Sequence, residues 1–170
     1  EEIRDAILQI SGKMDFRMGG PADVQFKLDD GNPPVTPVLD YAGFDAESPA
    51  NFRRSIYRFI FRTVPDPFMD ALDCPDASQL TPSRVESATA LQALAMWNNH
   101  FVLSQSRHVV ERVARQLNDP EKQIEAAFRL ILERPPSRSE LREMRPFVKQ
   151  AGLENACRVL FNSNEFIFVN

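Results

Sequence analysis

Cysteine, histidine and long apolar runs are scarce in this chain of 170 residues, and each shortage closes off a class of function. Cys74 and Cys157 are the only cysteines, too few for a disulfide scaffold and too far apart for a zinc site; one bridge or two buried thiols both fit. The only histidines, His100 and His108, would lie about 80° apart around a shared helix, a poor arrangement for holding one metal. His108 and Glu111 have the i, i+3 spacing of carboxylate-bridged metal sites, but without partner glutamates both histidines read as surface residues. No stretch approaches the roughly 18 apolar residues of a membrane span. An initiator Met and a basic-then-apolar leader are also missing, so Glu1 reads as the start of a processed or excised piece.

Complete catalytic motifs are missing too. Ser55, Ser104 and Ser106 stand in no Gly-x-Ser-x-Gly elbow, and no Cys-x-x-Cys-His is present to attach a c-type haem. The stretch "RTVPDPFMDALDCPDASQLTPSR" (62–84) carries Asp66, Asp70, Asp73 and Asp76, yet it has neither the Asp-x-Asp-x-Asp-Gly order nor the twelfth-position Glu of a calcium loop. Its four prolines make it a stiff connector rather than a wrapped loop.

What is present is an ordinary globular composition, 43% hydrophobic and 26% charged, long enough to bury roughly 70% of its unfolded surface. Residues 1–50 hold ten acids against four bases, and residues 51–170 hold sixteen bases against fourteen acids. That second balance is too weak for nucleic acid. Sixteen of the twenty basic residues are Arg, which favours planar, bidentate contacts with carboxylates and phosphate-like or sulfate-like groups.

Periodicity predicts a mainly α fold of six or seven helices with a proline-rich, partly extended N-terminal arm over 1–50 and a helical core over 51–170. Ile3, Ile7 and Ile10 mark a helix over 2–11 stopped by Gly12, and "VQFKL" (24–28) alternates like a short strand. Prolines and acids between Asn32 and Ala50 predict a long surface loop or wrapping arm. Ser48-Pro49 reads as the start of a helix ending before Pro65, with Phe52, Ile56, Phe59 and Ile60 as its apolar stripe. Ser83 with Glu86 predicts a capping box for the next helix, with Leu91, Leu94 and Ala95 facing the core and Asn98-Asn99 ending it. Val102, Val109, Val113 and Leu117 then share one face of a following helix. Asp119-Pro120 opens another, with Ile124, Ala127, Phe128 and Ile131 inward; Ser137 and Glu140 cap the next, which Pro146 is positioned to kink or divide. Leu153, Ala156, Cys157 and Leu160 line a last helix, and the apolar tail "NEFIFVN" is expected to dock. Trp97 and Phe101 suit an aromatic platform or, as the commoner use of such spacing, the core.

Taken together, "MGGP" (18–21), "FRRSIYRFIFRTVPDPFMDALDCPD" (52–76), "TALQALAMWNN" (89–99), "AFRLILERPPSRSEL" (127–141) and "FNSNEFIFVN" (161–170) resemble the planctomycete-specific domain family of unknown function. The family's Arg-Arg-Ser stands here as Arg53, Arg54 and Ser55, its Asp-x-Pro-Asp as Asp73 to Asp76, its Arg as Arg84, its Leu-Gln-Ala-Leu as Leu91 to Leu94 with Gln92, and its Asn as Asn98. Its Asn-Glu-Phe is Asn164, Glu165 and Phe166. The chain departs from the pattern over Glu86 to Ala90, where the family has Arg-Thr-Asn-Thr-Pro, and at Leu80, where it has a Cys. A shared ligand site there and a shared thiol chemistry are therefore not expected.

The resemblance implies a single domain, the C-terminal piece of a larger exported protein, periplasmic or extracellular, whose other domains include cytochrome-c-like ones. It implies no cofactor in this piece and haem elsewhere in the polypeptide. The favoured reading is a non-catalytic structural or interaction module, with Arg53, Arg54, Asp73, Asp76 and Arg84 in a buried polar network and other domains of the same polypeptide as partners. The alternative is a carbohydrate-binding or hydrolytic domain for complex or sulfated polysaccharide, with those residues, Gln92, Asn98 and Glu165 lining a pocket.

Overall fold

A computed structural model describes residues 1–28, 38–61, 64–74 and 89–168. The described residues are mainly helical: α1 (Glu2–Ser11), α2 (Pro67–Ala71), α3 (Ala90–Asn98), α4 (His100–Ala114), α5 (Pro120–Ile131), α6 (Arg138–Ala151), α7 (Leu153–Phe161) and α8 (Asn164–Ile167). A two-stranded antiparallel ribbon, β1 (Lys27–Leu28) with β2 (Leu39–Asp40), pairs Lys27 with Asp40 and Leu28 with Leu39.

Helix α4 runs through the centre, packed by α7, α1, α5 and α3, while α6 and α8 close over α7. The core joins Ile7 and Leu8 of α1 to Val102, Val109 and Val113 of α4, to Ile124, Ala127, Phe128 and Ile131 of α5, and to Leu153, Ala156, Cys157, Leu160 and Phe161 of α7. These are the apolar positions that the 3.6-residue period selects. The tail docks through α8, where Phe166 meets Phe161 edge-on at 5.2 Å between ring centres.

Local end signals are obeyed. Gly12 stops α1 in the left-handed region at φ 77, and Arg112 of α4 donates to the Ile10 carbonyl at 2.6 Å, satisfying a helix-end acceptor. Asn99 lies between α3 and α4 with extended dihedrals and accepts from Phe101 N at 2.9 Å, so two helices replace one long one. Asp119 caps α5, and Ser137 with Glu140 forms the reciprocal box that opens α6. Pro146 leaves α6 undivided and sits at an exposed position of the helix.

Four expectations are corrected. The helix predicted from Pro49 to just before Pro65 is replaced, over the described residues 49–61, by single 3-10 turns at Pro49–Asn51 and Ser55–Tyr57 with extended backbone around them. Ile56 is 72% and Ile60 57% exposed. The cause is outside bonding: Phe52 O accepts from Asp15 N, Tyr57 O from Asp23 N, and Phe59 N donates to Asp23 O, so these groups are not free for an i→i−4 ladder. In α3, Leu91 and Leu94 point outward while Gln92 and Met96 are buried, and the helix begins at a capping box made by Thr89 and Gln92. Ser83 and Glu86 lie outside the described residues. In "VQFKL", Gln25 is buried and Val24 exposed, because Gln25 Nε2 donates to Ala50 O at 2.8 Å. Finally, His108 is a buried residue rather than a surface one.

Candidate functional site

Two arginines organise the face made by α1 and the segment 51–58. Arg4, on α1, is wholly buried; its Nη1 donates to Arg53 O at 2.9 Å and Ser55 Oγ at 3.3 Å, and its Nη2 to Asn51 O. The guanidinium sits over the Phe101 ring, 5.0 Å from its centre. Burial pulls Arg4 down to about 10, with Asp5 and Asp23 opposing, so it stays charged at neutral pH. Neighbouring Asp5 accepts from both the backbone N and the Oγ of Ser55 at 2.7 Å.

Arg53 continues the chain of contacts. Its Nη2 donates to Gly19 O at 2.6 Å, its Nη1 to Pro21 O at 3.1 Å and Asp23 Oδ2 at 3.2 Å, and its plane stacks 3.9 Å from the Tyr57 ring centre. Tyr57 Oη in turn accepts from Gly19 N at 2.9 Å. Gly19 and Gly20 both have φ near +80, at 76 and 83, which explains two successive glycines in "MGGP". The motif is a turn whose main chain is read by Arg53.

A second cluster ties loop 41–51 to α4. Glu47 Oε2 lies 2.8 Å from His108 Nε2, Ser104 Oγ donates to Glu47 Oε1, and His108 Nδ1 is 3.2 Å from Glu111 Oε2. Burial would raise the Glu47 carboxyl, but the bonds from Ser104 and His108 outweigh it and hold the group below its ordinary value. The carboxylate stands between serine and imidazole, so this is a clasp and not a serine–base relay.

The sequence candidates scatter over several places. Arg53 is engaged by Asp23 and the Gly19–Pro21 turn, and Arg54 is half exposed, 3.7 Å from Asp5. Asp73, at φ 55, accepts from Gln92 Nε2 at 2.7 Å, so the connector does meet α3. Asp76 and Arg84 lie outside the described residues. Glu165 and Glu140 share Arg134, whose Nε and Nη2 reach Glu165 at 2.5 and 2.7 Å and whose Nη1 and Nη2 reach Glu140 at 2.9 and 2.7 Å. Those bonds, with the Ser137 backbone N, hold Glu140 down to about 2. Asn164 borders an apolar groove beside Glu165 and Phe166.

Of the seven candidates among the described residues, Asn98 alone borders the cleft between loop 41–51 and the α3–α4 junction. This cleft, of about 300 Å³, is also lined by Gln25, Tyr41, Arg58, Asp66 and His100. Arg58 pairs with Asp66, whose other oxygen caps α2 through Phe68 N at 2.8 Å. Burial, reinforced by the nearby positive Arg4, brings Arg58 down to about 9. Trp97 serves neither platform nor core alone: Arg158 stacks on it at 4.3 Å, and Phe101 is buried.

Arg4, Gln25, Glu47 and His108 were missed by motif reasoning because their roles come from partners far along the chain. The one local signal was the His108–Glu111 spacing. Cys74 and Cys157 form no disulfide, and burial pushes Cys157 up to about 12. Among the described residues no group of three His, Cys, Asp or Glu is arranged to hold a metal, and no helix is long and apolar enough to cross a membrane.

A family model described as PSD1, protein of unknown function (DUF1553), matches residues 1–148. No curated protein and no solved structure gives a significant match.

Proposed function

This chain belongs to the PSD1 family of proteins of unknown function, and from that premise we propose that it acts as a non-catalytic interaction module, one domain of a larger exported protein. The observation that carries the reading is the use made of Arg4 and Arg53. Their guanidiniums are directed inward to main-chain carbonyls, where they fix the segment 51–58 in a non-helical path. That path presents Ile56, Phe59 and Ile60 to solvent within five positions, at 72%, 43% and 57% exposure. Apolar side chains displayed on a braced backbone suit recognition, because little order must be gained on binding.

The partner in this reading is another domain of the same polypeptide, a haem-carrying one by the resemblance of the sequence, in a periplasmic or extracellular setting. The test is co-elution of the 170-residue chain with the remaining polypeptide expressed separately. Association is expected, weakened by Ile56→Glu with Ile60→Glu at an unchanged melting temperature. Co-elution insensitive to that pair, or none at all, would overturn the reading.

A further inference from the structure

Arg138, Arg142, Arg145 and Lys149 of α6 are all exposed, and at positions i, i+4, i+7 and i+11 they fall within about 60° of the helix circumference. The result is a straight row of cations about 16 Å long. The acids of the helix are kept off it: Glu140 and Glu143 lie more than about 100° round the axis from its centre, and Glu140 holds Arg134. Arg145 pairs with Glu121 of α5, whereas Arg138, Arg142 and Lys149 pair with no acid among the described residues.

The row works against the helix that carries it. Arg138 with Arg142, Arg142 with Arg145, and Arg145 with Lys149 are like charges three or four positions apart, an arrangement that destabilises a helix. Arg138 is also the first residue of α6, where the macrodipole disfavours a cation. Elsewhere arginines serve the fold: Arg4, Arg53, Arg112 and Arg158 each bond main-chain carbonyls. A set of charges that weakens its own helix, with three of the four unpaired inside the protein, points to a ligand outside it.

The class of ligand follows from what the face lacks. Leu141, Met144, Phe147 and Val148 pack against the core, so no apolar side chain joins the row to insert into a membrane or to seat a protein partner. Affinity must come from charge, and exposed pairs with the separate carboxylates of a protein are worth little in salt. A polymer of dense fixed charge differs, because binding releases its condensed counterions. Nucleic acid is further recognised by rings that stack on bases or amides that bond base edges, and the row holds neither. Three of the four cations are arginines, whose planar fork takes two oxygens of one oxyanion. We propose that the outer face of α6 docks a linear sulfated polysaccharide, one chain lying along the row with sulfates at Arg138, Arg142 and Lys149. Arg145, held by Glu121, contributes least.

The experiment is a two-dimensional NMR titration of the 170-residue chain with a heparin hexasaccharide. Its desulfated counterpart, a polyglutamate peptide, a short DNA duplex and phosphatidylglycerol vesicles serve as separate probes. Heparin is expected to give saturable amide shifts confined to α6 and its flanks, with an affinity that falls with salt at a log–log slope of about −2, as three contacts on a single-stranded polyanion give. Arg142→Glu with Lys149→Glu is expected to weaken heparin at least roughly tenfold, at an unchanged melting temperature because both positions are exposed. Lys27→Glu with Arg115→Glu, an equal change of net charge at exposed positions elsewhere, should leave the affinity within about twofold. Equal weakening by the two double variants, any other probe binding as tightly as heparin, or no saturable shift along α6 would each overturn the proposal. Such a failure leaves co-elution through Ile56 and Ile60 unaffected, so the two readings stand or fall separately.

Discussion

Arg4 donates to the main-chain carbonyl of Arg53 at 2.9 Å, and Arg53 passes the contact on to Gly19 at 2.6 Å, so one guanidinium holds in place the residue that carries the next. Both side chains are buried and both bond backbone oxygens more than they pair with carboxylates. The arrangement fixes main chain directly, which a lysine could not do with the same fork of donors.

Removing the first link should therefore be costly. Arg4→Ala leaves the carbonyls of Asn51 and Arg53 without their donor and is expected to destabilise by about 3 kcal/mol or more. For a chain of this size that lowers Tm by roughly 6 to 12 °C in a thermal melt. Arg54→Ala serves as the control: its side chain is 53% exposed, and the change should stay within about 0.5 kcal/mol. Equal losses from the two variants would contradict the bracing role.

Loop 41–51 depends on the clasp to α4. His108→Leu or Glu47→Gln is expected to speed limited proteolysis and amide exchange within 41–50 while the exchange of α4 and α7 stays slow. Uniform acceleration across the protein would mean that the histidine supports the core as a whole.

Glu140 supplies an acid-range signature. Its folded value, about 2, lies below the ordinary carboxylate range, so its contribution is present above that ordinary value near 4.3 and is lost as pH falls toward about 2. Glu140→Gln should flatten this part of the pH dependence of Tm, and the difference between parent and variant should shrink toward pH ~2. A variant whose melting curve parallels the parent from neutral to acid would exclude the Arg134 bonds as its source.

The two thiols should react in sequence. Cys74 is partly exposed, whereas Cys157 is buried with its thiol pushed up to about 12 and so carries almost no thiolate at neutral pH. Iodoacetamide on the native protein is expected to label Cys74 and spare Cys157, which reacts only in denaturant. Dithiothreitol should leave Tm unchanged, as neither cysteine is bridged.

The parts of the fold legible in the sequence are those set by residues within one or two turns. Asp119-Pro120, Ser137 with Glu140, Asn99 and Gly12 each satisfy helix-end groups beside them, and each end is where the sequence places it. The segment 49–61 shows the limit: its apolar residues have helical spacing, but Asp15 and Asp23 take its backbone bonds from more than 30 positions away. Leu91 and Leu94 mislead for a related reason, since Gln92 is drawn inward by Asp73 and by the Thr89 cap and rotates the helix with it. The candidate residues followed the same division. Asn98 reaches the cleft because a helix end fixes it locally, whereas Gln25, whose amide is positioned by Ala50, carries no sequence mark.

The position of Arg4 also has a consequence for the order of events during synthesis. Helix α1 leaves the ribosome with a guanidinium that finds its acceptors only 47 to 51 positions later, and Ser11 meets Gln105 only 94 positions later. At ordinary elongation rates the second wait lasts about 5 to 20 seconds. Throughout it, Ile7 and Leu8 have no α4 to cover them, so the nascent chain offers a chaperone an apolar helix tip well before the finished protein hides it.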